Sequence, residues 1–230
     1  MQEVKRENLV AIPMWDIWVR LFHWALVAAI TVSFVTENIG NLETHYIAGL
    51  AVLGLIIFRV LWGLIGSPTA RFGHFLRGPR SVLNYLKHAR GRKPSYSFGH
   101  NPAGGAMVAL LLLVLGFQAV SGLFNSDDIL FEGPLYDNVS GAVAGFFGRW
   151  HGVMGNVILG LVALHILVVL LYRVVKRENL IKAMVVGKAV LPQDVVSRLP
   201  ADERRHAGSG RALICIGIAV AIPMAIFYLN

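Results

Sequence analysis

The chain has 230 residues, of which 56% are hydrophobic and only 15% charged, and its mean hydropathy is +0.62. A soluble domain carries about 25% charged residues, so this composition excludes an ordinary soluble globule and points to a membrane protein. The formal net charge of +8 does not call for nucleic acid, because Lys and Arg gathered on cytoplasmic loops give the same balance.

Five segments reach the roughly 20 apolar residues that a spanning helix needs. The first runs from about Ile17 to Thr36. It carries Arg20 and His23 and ends in Thr36-Glu37-Asn38, so it reads as a span and not as a cleaved leader. The second runs from about Thr44 to Gly66, with His45 at its start and Arg59 inside it. A basic loop follows, in which Pro79 to Arg90 sets Val82, Leu83 and Leu86 beside Arg80 and Lys87. That pattern predicts a helix lying on the bilayer surface. The third span, Pro102 to Phe124, opens on Asn101-Pro102, a cap residue followed by proline in the first turn.

The fourth span, Phe146 to Tyr172, holds His151 and His165. Asn179 to Gly187 is a second expected surface helix. The charged stretch 191–211 reads as a cytoplasmic linker between a domain of residues 1–190 and a fifth span, 212–230, in which the apolar run is Ala212 to Leu229. The lone Cys215 excludes an internal disulfide, and the absence of Cys-x-x-Cys-His excludes covalent c-type heme attachment.

The loops alternate in charge. Lys5 and Arg6 precede the first span; Arg71, Arg77, Arg80, Lys87, Arg90, Arg92 and Lys93 lie between the second and third. Arg173, Lys176, Arg177, Lys182 and Lys188 follow the fourth. The other two loops are acidic, with Glu37 and Glu43 in one and Asp127, Asp128, Glu132 and Asp137 in the other. The positive-inside rule puts the amino terminus in the cytoplasm, the acidic loops outside, and the end of a fifth span outside.

Four of the eight histidines, His74, His88, His100 and His206, fall in basic loops, where solvated or interfacial side chains are expected. His23, His45, His151 and His165 fall on spans, where an ionisable group is costly and usually functional. His151 and His165 are 14 residues apart, which is about 21 Å along the axis and about 40° short of four turns. Both face nearly the same side, at opposite ends of the hydrocarbon. The first two spans run antiparallel, so His45 matches His151 in depth and His23 matches His165. Zinc would want three or four protein ligands, and no Cys, Asp or Glu lies at these depths. Iron in a porphyrin takes two axial ligands on opposite faces, and six-coordinate iron leaves electron transfer as its chemistry. Two b-type hemes, one above the other, are the expectation.

Gly49 and Gly152 lie close to His45 and His151 in sequence and are expected to give the flat macrocycle room. Anionic propionates need cationic partners; Arg149 is the outer candidate and Arg59 the inner one.

The chain resembles the prokaryotic cytochrome b561 family, which includes the cytochrome b subunit of nickel-iron hydrogenases. The matching stretches are Trp15-Asp16 through Arg20-Leu21-Phe22-His23-Trp24, His45 with Gly49, Arg59, Trp62-Gly63, Gly66, Gly99-His100-Asn101-Pro102, and His151 with His165. The resemblance implies an all-α integral-membrane four-helix bundle with two b hemes, to which this chain adds a fifth C-terminal transmembrane helix. It also implies electron passage between a periplasmic cytochrome or a dehydrogenase or hydrogenase subunit and the quinone pool of the inner membrane. The rival expectation is a stand-alone quinone-coupled oxidoreductase for a small reactant such as superoxide, which an acidic outer face would repel.

Overall fold

The computed structural model describes residues 8–89, 96–126 and 131–228. Lys5, Arg6, Arg90, Arg92, Lys93, Asp127, Asp128 and Leu229, named above, lie outside them. In chain order the elements are β1 (Leu9–Pro13), α1 (Ile17–Asn38), α2 (Leu42–Ile65), α3 (Phe72–Phe75) and α4 (Pro79–His88). Then come α5 (Pro102–Gly122), α6 (Gly141–Leu171), α7 (Leu180–Val186), β2 (Lys188–Pro192), α8 (Gln193–Ser197) and α9 (Ser209–Phe227). Helices α1, α2, α5, α6 and α9 are long and apolar enough to cross a membrane.

Local chemistry sets the helix ends. Asp16 accepts from the Val19 amide at 2.8 Å, Asn41 from Thr44 at 3.0 Å and Asn101 from Gly104 at 2.8 Å, so each supplies an acceptor to otherwise orphaned first-turn amides. Helix α6 begins five residues before the expected Phe146, because the small residues from Gly141 to Gly145 continue its helix. At its other end it loosens into a π turn, Tyr172–Lys176, and stops at Arg177 in a left-handed conformation (φ 57°).

Helix α2 is the hub. It packs against α1, α5 and α9, while α6 packs on α5 and makes few contacts with α1 or α2. Midway along the bundle, Val52 and Ile56 of α2 meet Leu115 of α5 and Ile158 of α6. The fifth helix belongs to this bundle: a Cβ on Gly54 would lie 2.8 Å from the Ala219 carbonyl, and Ala212, Cys215, Ala219 and Pro223 of α9 are buried. Small residues at such a contact let two backbones approach closely, which is how helices associate in lipid. Much of α6 presents Leu159, Leu164, Ile166 and Leu167 outward, as a lipid-facing surface does.

Two features at the basic-loop end depart from the sequence expectation. Strands β1 and β2 pair antiparallel, Leu9 opposite Pro192 and Pro13 opposite Lys188. Gly187 makes the turn into β2 at φ +79°, and its carbonyl accepts from the Met14 and Trp15 amides. The stretch 191–211, expected to be a plain linker, carries α8 and docks on the bundle: the Ser67 hydroxyl accepts from the Ala207 amide at 2.9 Å, and His74 meets Glu203 at 3.6 Å. Helices form in both stretches, α4 and α7, with Leu83 and Leu86 of α4 exposed and Tyr85 sharing a 2.6 Å hydrogen bond with Tyr172.

Candidate functional site

At the acidic-loop end, α2 carries His45 and α6 carries His151, with ring centres 6.1 Å apart and planes at 83°. Each ring is held through Nδ1 by a neighbouring helix. His45 Nδ1 lies 2.9 Å from the Ser33 carbonyl and 3.2 Å from its hydroxyl. His151 Nδ1 lies 3.1 Å from the Gln118 carbonyl and 3.1 Å from the Ser121 hydroxyl. A carbonyl can only accept, so Nδ1 carries the proton on both rings. Nε2 is then left with a free lone pair on each. Carbonyl-anchored Nδ1 is the usual arrangement behind a metal-ligating imidazole.

The spacing suits one metal atom between the rings. Two metal–nitrogen bonds of about 2 Å each, plus two ring radii of about 1 Å each, span about 6 Å. Among the described residues no group of three or more His, Cys, Asp or Glu side chains is placed to hold a metal ion. A two-ligand centre such as heme iron fits this donor set, and zinc does not. A Cβ on Gly49 or Gly152 would meet nothing within 4 Å, so the backbone beside both rings has room for a flat group. Gly122 serves the ring itself, since a Cβ there would lie 3.0 Å from His151 Cε1.

At the basic-loop end, His23 of α1 and His165 of α6 are close enough for their charges to interact. His23 Nδ1 is buried and has no hydrogen-bond partner. His45 and His151 thus face each other at one end of the bundle, and His23 and His165 lie within electrostatic range of each other at the other.

Arg59 of α2 is 2% exposed, its guanidinium lies 5.3 Å from the centre of the Phe72 ring, and its Nη1 is unpartnered. Asp16 beside it is also 2% exposed and accepts from Trp62 Nε1 at 3.1 Å as well as capping α1. Arg20 is committed elsewhere, donating to the Val185 carbonyl. Arg149 stands apart from the outer pair. Two residues along a helix is a turn of about 200°, and Arg149 lines an open face with Phe146, Trp150 and Val153, on the far side of α6 from His151.

His100, expected to be a solvated or interfacial loop residue, is instead enclosed at this end of the bundle. Its ring packs 4.6 Å from Trp15 and 4.7 Å from Phe75. Burial, reinforced by the charge of Arg59 and by His74 and His165, pushes its pKa down to about 3, so the ring is neutral at physiological pH. Its sequence signals were its place immediately before the Asn101-Pro102 cap of α5 and its membership of the Gly99-His100-Asn101-Pro102 stretch that carries the resemblance.

The family model "Prokaryotic cytochrome b561" matches residues 14–187. The chain belongs to the prokaryotic cytochrome b561 family. This cytochrome is an integral membrane protein that transfers electrons across the bilayer by b-type heme. Comparison with curated proteins and with solved structures gave no match. The matched stretch spans all four histidines and ends before β2, so α8 and α9 lie beyond it.

Proposed function

We propose that the cytochrome holds two b hemes per chain, one between His45 and His151 and one between His23 and His165. They would relay electrons between a periplasmic redox protein and the membrane quinone pool. The observation that carries this reading is the facing of His45 and His151 across 6.1 Å, each with Nδ1 anchored on the next helix. When bound, heme supplies a one-electron iron couple. The chain's own residues do the rest. Ser33, Gln118 and Ser121 fix the outer imidazoles, and Gly49 and Gly152 leave the backbone clear of the ring plane. Leu26, Val52, Ile56 and Leu115, packed between the two ends, keep water out of the path.

Basic loops in the cytoplasm put the amino terminus inside and α9's far end outside. The outer heme then lies beneath Glu37, Glu43, Glu132 and Asp137, all exposed, a surface suited to a basic electron carrier. The inner heme lies at the quinone side.

The test is the reduced-minus-oxidised spectrum of the purified full chain, with heme counted per polypeptide. Two hemes are expected. His151→Ala should remove the outer heme and His165→Ala the inner one. Equal loss of both from each single variant, with the protein still folded, overturns the pairing. Rapid turnover with quinone and superoxide alone overturns the relay.

A further inference from the structure

Among the buried nitrogens at the basic-loop end that lack a partner, which include Arg20 Nε and His74 Nδ1, two stand together beside the inner pair and are left without a task by the four-ligand reading. Arg59 Nη1 and His100 Nδ1 are both shielded from water and both lack a hydrogen-bond partner. Leaving such a buried group without a hydrogen bond is costly, most of all for a charged one. The two are neighbours: His100 feels the charge of Arg59, and Phe75 packs on both, 5.8 Å from the guanidinium and 4.7 Å from the imidazole. The local carboxylate does not fill the need, because both Asp16 oxygens already accept, from Val19 and from Trp62. The aromatic walls, Phe72, Phe75 and Trp15, make the place dry, so an acceptor there is bound more strongly than in water. His100 is also within electrostatic range of His165, which places the site beside the inner pair.

We infer that Arg59 and His100 together bind one carboxylate, a propionate of the inner heme. This rests on the two-heme reading above and adds His100 as a positioning residue. A guanidinium fork matches a carboxylate, and the neutral imidazole contributes one further N–H. A quinone oxygen could accept from the same two donors, and the test separates the two sources.

The measurement is a potentiometric titration of both hemes in the full-length, heme-loaded chain, with the inner heme identified as the one lost in His165→Ala. Removing a donor leaves propionate charge uncompensated next to the iron and favours the ferric form. Arg59→Gln should shift the inner reduction equilibrium about tenfold toward ferric, about 59 mV for one electron. His100→Ala should shift it in the same direction by less, and His100→Gln, which keeps a donor, should restore it. The outer potential should stay fixed in all three. His100→Ala matters most, because it removes only a neutral donor, whereas Arg59→Gln also removes a buried charge. Full heme content with an unmoved inner potential in His100→Ala overturns the inference. Unmoved potentials with weakened quinone binding would assign the donors to a quinone oxygen, which also overturns it. A purified, folded chain without heme defeats the two-heme reading and this inference with it.

Discussion

Replacing Gly122 with alanine tests how closely the outer site is fitted. Gly122 closes α5, and an added Cβ would lie 3.0 Å from His151 Cε1 and 3.4 Å from Nδ1. That is tighter than ordinary van der Waals contact, so the ring must retreat by a few tenths of an ångström. It cannot retreat freely, because Nδ1 is held at 3.1 Å by Gln118 and at 3.1 Å by Ser121. Overpacking of this kind costs about 1–3 kcal/mol. Near the end of α5, the same change favours the helix by up to about 1 kcal/mol. The expected signature is therefore a folded apoprotein destabilised by about 0–2 kcal/mol, in which the displaced ring binds the outer heme about tenfold less tightly. Gly116→Ala is the control, since its Cβ would meet only Ile56 at an ordinary 3.6 Å. Heme per chain after dilution in detergent, with each heme resolved by potential, measures the effect. Retention of the outer heme in Gly122→Ala, or loss of the inner one instead, refutes the placement of His151 as a ligand.

Asp16→Ala removes a helix cap and leaves Trp62 Nε1 buried without an acceptor; a loss of about 2–4 kcal/mol is expected, read as a lower melting temperature in detergent. Gly187→Ala forces a side chain into a left-handed conformation 2.8 Å from the Trp15 carbonyl, and proteolysis at the β1–β2 sheet should accelerate. Because the folded pKa of His100 lies below its unfolded value, the unfolded chain takes up a proton first. Its contribution is thus present above about pH 6.5 and is lost as pH falls toward 3. The melting temperature of His100→Gln should accordingly drop less between pH 7.5 and 5.5 than that of the parent. A fluorophore on Leu83→Cys should be quenched by brominated lipid and one on Asn84→Cys should not, if α4 lies on the bilayer by its leucine face.

Much of this architecture is legible in the sequence. Hydropathy alone marks the five spans, and the 14-residue interval between His151 and His165 encodes the two depths. What escaped were features that depend on angle or on distant partners. Arg149 is adjacent to His151 in sequence but nearly opposite it on the helix. The basic loop containing His100 reads as solvated because nothing nearby in sequence announces that Trp15 and Phe75 will enclose it. The α2–α9 contact depends on Gly54 meeting Ala219, two small residues whose fit only the assembled backbones reveal. Strands β1 and β2 are five residues each and pair across nearly the whole chain, so no local pattern foretells them.

That ribbon also constrains how the chain threads the bilayer. Four crossings, α1, α2, α5 and α6, lie between its two strands, and an even number of crossings returns the backbone to the side from which it started. Gain or loss of any one of them would leave the strands facing each other through the hydrocarbon. The hydrogen bonds of ten residues therefore act as a parity check on membrane insertion: a misthreaded chain could not close the ribbon, and would expose both edges to the cell's proteases.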